Sequence, residues 1–113
     1  MRIFLPYPYP ALWPNKRPHW LEKYRATSAY RFIAKSKSLG AKVGPIRVTF
    51  CPKPKGQVPD MDNCIAAFKA GQDGLADAMG VNDRDLIVTY EMGNRCKDGA
   101  VIVEIGVDSD GGK

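Results

Sequence analysis

Residues 62–79, Asp-Asn-Cys-Ile-Ala-Ala-Phe-Lys-Ala-Gly-Gln-Asp-Gly-Leu-Ala-Asp-Ala-Met, decide how the chain is read. At about 100° per residue, Cys64, Phe68, Leu75, Ala78 and Met79 fall on one side of a helix, with Ile65 at its edge. Such a stripe needs a second layer to cover it. Upstream, Ile46, Val48 and Phe50 alternate with Arg47, Thr49 and Cys51, the pattern of a half-buried strand that Pro52 and Pro54 end. Downstream, Leu86–Glu91 reads as a strand, and Val101, Val103, Ile105 and Val107 alternate as a final one. Gly80 stops the helix. Gly71 and Gly74 each weaken it by roughly 1 kcal/mol relative to alanine.

Toward the start, Ile3–Leu5 reads as a short strand ended by Pro6, Pro8 and Pro10. A second helical seam repeats at three and four through Ala26, Ala29, Tyr30, Ile33 and Ala34. Pro18 suits its first turn and Gly40 its end, while Arg31, Lys35 and Lys37 lie on its other side. The order is β-α-β-α-β-β. We expect one α+β domain over residues 1–113, a mixed sheet with two main helices against one face. The short connection between the last two strands suggests an antiparallel hairpin. Residues 108–113 read as a frayed polar tail.

The chain has 113 residues, enough for one domain. No run approaches the roughly 18 apolar residues of a membrane span, and the early prolines break any signal-like segment. Cys51, Cys64 and Cys96 are an odd, widely spaced set that fits a reducing, cytoplasmic setting and resembles no zinc ligand set. The one histidine, His19, lies far in sequence from every carboxylate and reads as a solvated or helix-start residue. Trp13, Trp20 and the early tyrosines read as cover for the sheet and helix ends, or as an interface or wedge.

Charge is unevenly distributed. Residues 1–59 hold twelve basic side chains and one acidic, Glu22, a balance of +11. Residues 60–113 hold five basic and eleven acidic, a balance of −6. A basic surface attracts a polyanion, and carboxylates beside it repel the same phosphates unless a divalent cation intervenes. A solvated surface with an accidental imbalance is the plainer alternative.

Pro59-Asp60-Met61-Asp62-Asn63 joins the basic loop around Lys53 and Lys55 to the helix. If 60–62 is extended, Asp60 and Asp62 share a face, where a hard cation such as Mg²⁺ would relieve their repulsion. Helix capping is the ordinary account of one such carboxylate. Projected down the helix, Lys69 and Asp73 fall within about 20° of Asp62, either as a solvated i,i+4 pair or as a site. Asp83 and Asp85 follow in a turn-like loop from which an aspartate can fold back. Asp77 reads as solvated.

These residues resemble the RusA family of Holliday junction resolvases, found in bacteriophages and prophages. The likeness runs from about Leu5 to Val107. It rests on Leu5-Pro6 with further prolines, Asn15-Lys16-Arg17, Asp60-Met61-Asp62-Asn63, the helical Lys69 and Asp73, and Gly80-Val81-Asn82-Asp83. Lys69 stands seven residues after Asp62, rather than the four of the best-known member, but on nearly the same helix face. Asn82 stands where an aspartate is frequent. The resemblance implies a Mg²⁺-dependent endodeoxyribonuclease that cuts four-way DNA junctions as a homodimer in a bacterial cytoplasm, with no nucleotide cofactor. It makes Asp60, Asp62 and Asp83 the metal-associated catalytic carboxylates and Lys69 the catalytic lysine, with Asn63 and Asp73 accessory. The basic half, including Lys16, Arg17, Arg31, Lys35, Lys53 and Lys55, would hold backbone phosphates of branched DNA. Three alternatives are a non-catalytic nucleic-acid-binding module, a nuclease of the same family acting on other branched DNA, and a structural protein whose tail or hairpin mediates assembly.

Overall fold

The computed structural model describes residues 1–106. The expected end of the last strand at Val107 and the tail at 108–113 lie outside them. The elements are β1 (Arg2–Pro6), α1 (Trp20–Lys37), β2 (Ile46–Cys51), α2 (Met61–Ala67), α3 (Lys69–Met79), β3 (Val88–Met92) and β4 (Ala100–Ile105). Short 3₁₀ turns occupy Pro10–Leu12 and Asp83–Asp85. This is an α+β fold with a mixed four-stranded sheet and its helices over one face.

The sheet order is β1-β4-β2-β3. β4 runs antiparallel to both β1 and β2, with Leu5 opposite Val101 and Val48 opposite Val103. β2 and β3 are parallel, Val48 opposite Tyr90. The expected hairpin between the last two strands therefore does not form, because β2 lies between them. The connection passes over the end of β2, where the Gly93 and Cys96 N–H groups donate to the Phe50 and Pro52 carbonyls. Crossing one strand takes two interstrand steps, about 10 Å, which residues 93–99 easily span. The apolar run of β4 favours a central position. β3, with exposed Thr89 and Glu91, takes the edge.

Ile3, Leu5, Ile46, Val48, Phe50, Val101, Val103 and Ile105 are buried beneath the helices. Phe68, Leu75 and Cys64 are fully buried, as the stripe predicts, and Met79 packs against the core. Phe68 meets Tyr30 and Phe50 edge-on, with centroids 6.0 and 5.9 Å away. At Phe68 itself the expected single helix divides into α2 and α3.

α1 starts later than Pro18 suggested, after His19, whose Nδ1 accepts the Leu21 N–H at 3.2 Å and caps the helix. Tyr30 and Ala34 form its buried seam, whereas Ala29 is exposed. The helical glycines have a packing role. A Cβ on Gly74 would sit 2.3 Å from the Arg31 carbonyl oxygen, so only glycine lets α3 approach α1 this closely.

Candidate functional site

α3 carries Lys69, Asp73 and Asp77 along one exposed side, spaced at the helical repeat. Lys69 Nζ donates to Asp73 Oδ1 at 2.9 Å and also to Asp83. Asp83 arrives from the 3₁₀ turn that follows Gly80, where the left-handed glycine (φ 73°) ends α3 and turns the chain back. The paired ammonium holds the Asp83 carboxyl below the usual carboxylate range. Its bonds to Asp83 and Asp73 in turn raise the Lys69 ammonium.

Alongside, Arg31 of α1 donates from Nε to Asp77 Oδ2 at 2.6 Å and from Nη2 to Oδ1 at 2.8 Å. The guanidinium lowers the pKa of Asp77, so this carboxylate is paired rather than merely solvated as its sequence position suggested. Arg31, Lys69, Asp73, Asp77, Asn82 and Asp83 line one open cleft of about 330 Å³. An adjoining depression, with Lys23 and Thr27 at its edge, shares Lys69 and Asp73.

Asp60 lies elsewhere. It occupies the N-cap position of α2 in extended geometry, yet its side chain makes no capping bond. It lines a second cleft of about 480 Å³ with Tyr7, Trp13, Asn15, Lys16, Lys53 and Asn63. Burial, with a smaller contribution from Cys64, pushes the Tyr7 hydroxyl up to about 12. Asp62 is exposed in the first turn of α2 and lines neither cleft. The extended stretch assumed for 60–62 ends at Asp60, because the helix begins at Met61. Asp60 and Asp62 therefore do not share a strand-like face.

Carboxylate oxygens are the donors Mg²⁺ takes, and Asp73 and Asp83 already share one cation, the Lys69 ammonium. In chemistry the donor set suits the metal. In position, the single chain sets Asp60 and Asp83 at separate mouths, and no three His, Cys, Asp or Glu residues gather as a metal site among the described residues.

Of the basic residues expected to hold phosphates, Lys16 and Lys53 line the Asp60 cleft. Arg31 belongs to the other cleft through Asp77. Arg17, Lys35 and Lys55 are exposed. Arg95 escaped the sequence reading. Its Nη1 donates to the carbonyls of Lys53, Pro54 and Gly56, at 3.1, 3.2 and 2.9 Å, fixing the basic loop. A lone arginine in a turn about forty residues away gives no sequence signal for such a contact.

No protein-family model matches the chain. A curated protein of Xylella fastidiosa (strain Temecula1), described as an uncharacterized protein, is 34% identical over 95 residues. The match covers 75% of this chain and 61% of that relative, so the chain spans less than two thirds of its length. No helix among the described residues is long and apolar enough to cross a membrane.

Proposed function

We propose that the chain is a Mg²⁺-dependent endodeoxyribonuclease that hydrolyses phosphodiester bonds at four-way DNA junctions, working as a homodimer in a bacterial cytoplasm. The observation that carries this reading is the meeting of Lys69 with Asp83, 14 residues further on, at the mouth of an open cleft. These are the two positions where the resemblance to the RusA family puts a catalytic lysine and a late catalytic aspartate.

In such hydrolysis, water adds to phosphorus and the bond to the leaving sugar oxygen breaks. Negative charge grows on the phosphoryl oxygens and on the leaving oxygen as it does so. Lys69 offers an ammonium to that charge, and Asp73 and Asp83 hold the ammonium in place before substrate arrives. The resemblance assigns Mg²⁺ to Asp60, Asp62 and Asp83, but of these only Asp83 lies at the Lys69 cleft. There Asp73 and Asp83 are the carboxylates that would hold the ion, which supplies charge neutralisation and an activated water when bound. Lys16, Lys53 and Lys55, on the loops beside the Asp60 cleft, take backbone phosphates of the branched DNA and position it without reading its sequence. A junction is nearly two-fold symmetric and needs two cuts, so a two-fold dimer supplies one site per strand.

One observation favours a second reading. Asp60 and Asp83 line different clefts in the single chain, as suits a module that binds branched nucleic acid without cutting it. Incubating the protein with a synthetic four-way junction and a matched duplex, in Mg²⁺ and in EDTA, decides between them. Junction cleavage that needs Mg²⁺ supports the nuclease, and tight binding without cleavage supports the module. Cleavage of flaps or forks with the junction left intact would reassign the substrate within branched DNA.

A further inference from the structure

The Asp60 cleft has a composition that phosphate contacts alone do not require. Tyr7 and Trp13 form one wall, their ring centroids 5.3 Å apart and their planes inclined at 40°. Trp13 is fixed by its Nε1–H donating to the Pro8 carbonyl at 3.1 Å. Tyr7 lies on Gly99, where a Cβ would come within 2.8 Å of the ring, so only glycine lets the backbone pass so close. Both rings are therefore set in place before any ligand binds. Lys16 and Lys53 stand on two different segments of the rim, and Asn63 adds a side-chain amide. Arg95, holding the carbonyls of the 53–56 loop, keeps the Lys53 side in position.

From this arrangement we infer that the cleft seats one unpaired nucleotide of a DNA strand. Its base lies against Tyr7 and Trp13, and its flanking phosphates rest on Lys16 and Lys53. A base inside a duplex has both faces covered by its neighbours and cannot present a ring to an aromatic wall, whereas an unstacked base can. The volume, about 480 Å³, is within the range of small-molecule sites. The Asp60 carboxylate repels phosphate, so the sugar-phosphate chain runs along the lysine rim and the base turns inward. Cations on two sides suit a strand that enters and leaves, more than a free mononucleotide. The inference rests on the proposal that branched DNA is the substrate, since a branch point is where an unpaired nucleotide arises.

The test uses the full chain with Trp20→Phe, which leaves Trp13 as the one tryptophan. Its fluorescence is followed in EDTA on titration with an eight-nucleotide dT strand, an abasic strand of equal length and charge, and dTMP. Stacking predicts quenching by the dT strand and affinity about tenfold tighter than for the abasic strand. Adding Trp13→Leu should abolish that preference. Trp13→Phe, which retains a ring, should retain most of it, with affinity then read by anisotropy of a labelled strand. Equal affinity for dT and abasic strands would overturn the inference, whether or not the junction is cut. Binding of dTMP as tight as that of the dT strand would overturn its assignment to a strand. If base-dependent binding persists while no branched DNA is cut, the nuclease proposal fails and this site stands.

Discussion

Arg31 of α1 and Asp77 of α3, 46 residues apart, close a two-bond guanidinium–carboxylate pair that ties the basic half of the chain to its acidic half. Beside it, Lys69 gathers Asp73 and Asp83. The cleft is thus built from opposite charges held in contact. It need not be read as a bare acidic cluster.

The Arg31–Asp77 pair predicts a pH dependence of stability. The carboxyl of Asp77 titrates below its ordinary value in the folded chain, so its contribution is fully present above about pH 4 and is lost as pH falls through the folded value. Urea midpoints of wild type and Asp77→Asn should differ at pH 5–7 and converge below pH 4. Because the pair is solvent-exposed, the gap at neutral pH should stay below about 1 kcal/mol. A gap that persists undiminished at pH 2 would contradict the pairing.

Gly74 sets the approach of α1 and α3. In an open helix, Gly→Ala would stabilise by roughly 1 kcal/mol. Here the new methyl would meet the Arg31 carbonyl oxygen at 2.3 Å and the Ala34 Cβ at 2.8 Å. Overpacking should reverse the sign, with a net loss of about 1–3 kcal/mol in denaturant unfolding. An unchanged or raised midpoint would show that the helices separate freely.

Much of this architecture can be read from the sequence, for definite reasons. Ile46–Cys51 matches at both ends because alternation marks the strand and prolines stop it. Phe68 and Leu75 are buried because a helical stripe has one way to face a sheet. The division of the helix at Phe68 leaves no proline or other local mark. The expected hairpin of the last two strands does not form, because pairing β4 with β1 and β2 is decided by burial across the whole chain, and no short-range pattern encodes it. Within the site, Lys69–Asp73 follows from spacing, and the turn at Gly80 accounts for Asp83 folding back. Arg31–Asp77 and Arg95 are tertiary contacts without a local signal. Asp60 and Asp62 would share a face only in an extended stretch, and the helix already starts at Met61.

Lys69 also predicts the titration of its partner. Removing the ammonium in Lys69→Ala leaves Asp83 beside Asp73 with no cation between them. The Asp83 carboxyl should then titrate higher than in wild type, read by carbon NMR of the side-chain carboxyls. An unchanged titration would mean that Lys69 does not hold Asp83 in solution.

Binding to DNA should be strongly salt-dependent. With about six phosphates contacted, the slope of log K against log salt should be near −5. Replacing Lys53 and Lys55 together should weaken junction and duplex alike, because backbone contacts position the protein without choosing the site. A slope near zero would remove the basic half from the binding surface.

If Asp83, held by Lys69, belongs to a metal-dependent cutting site, its charge should matter to the cutting rate and little to binding. The most direct measurement compares four-way junction cleavage in Mg²⁺ by wild type, Asp83→Asn and Asp85→Asn. Asp85 shares the same turn but is exposed and lines neither cleft. Asp83→Asn should lower the rate by roughly a hundredfold or more while junction binding persists or tightens, and Asp85→Asn should cut like wild type. Normal cutting by Asp83→Asn, or wild-type cutting in EDTA, would contradict it.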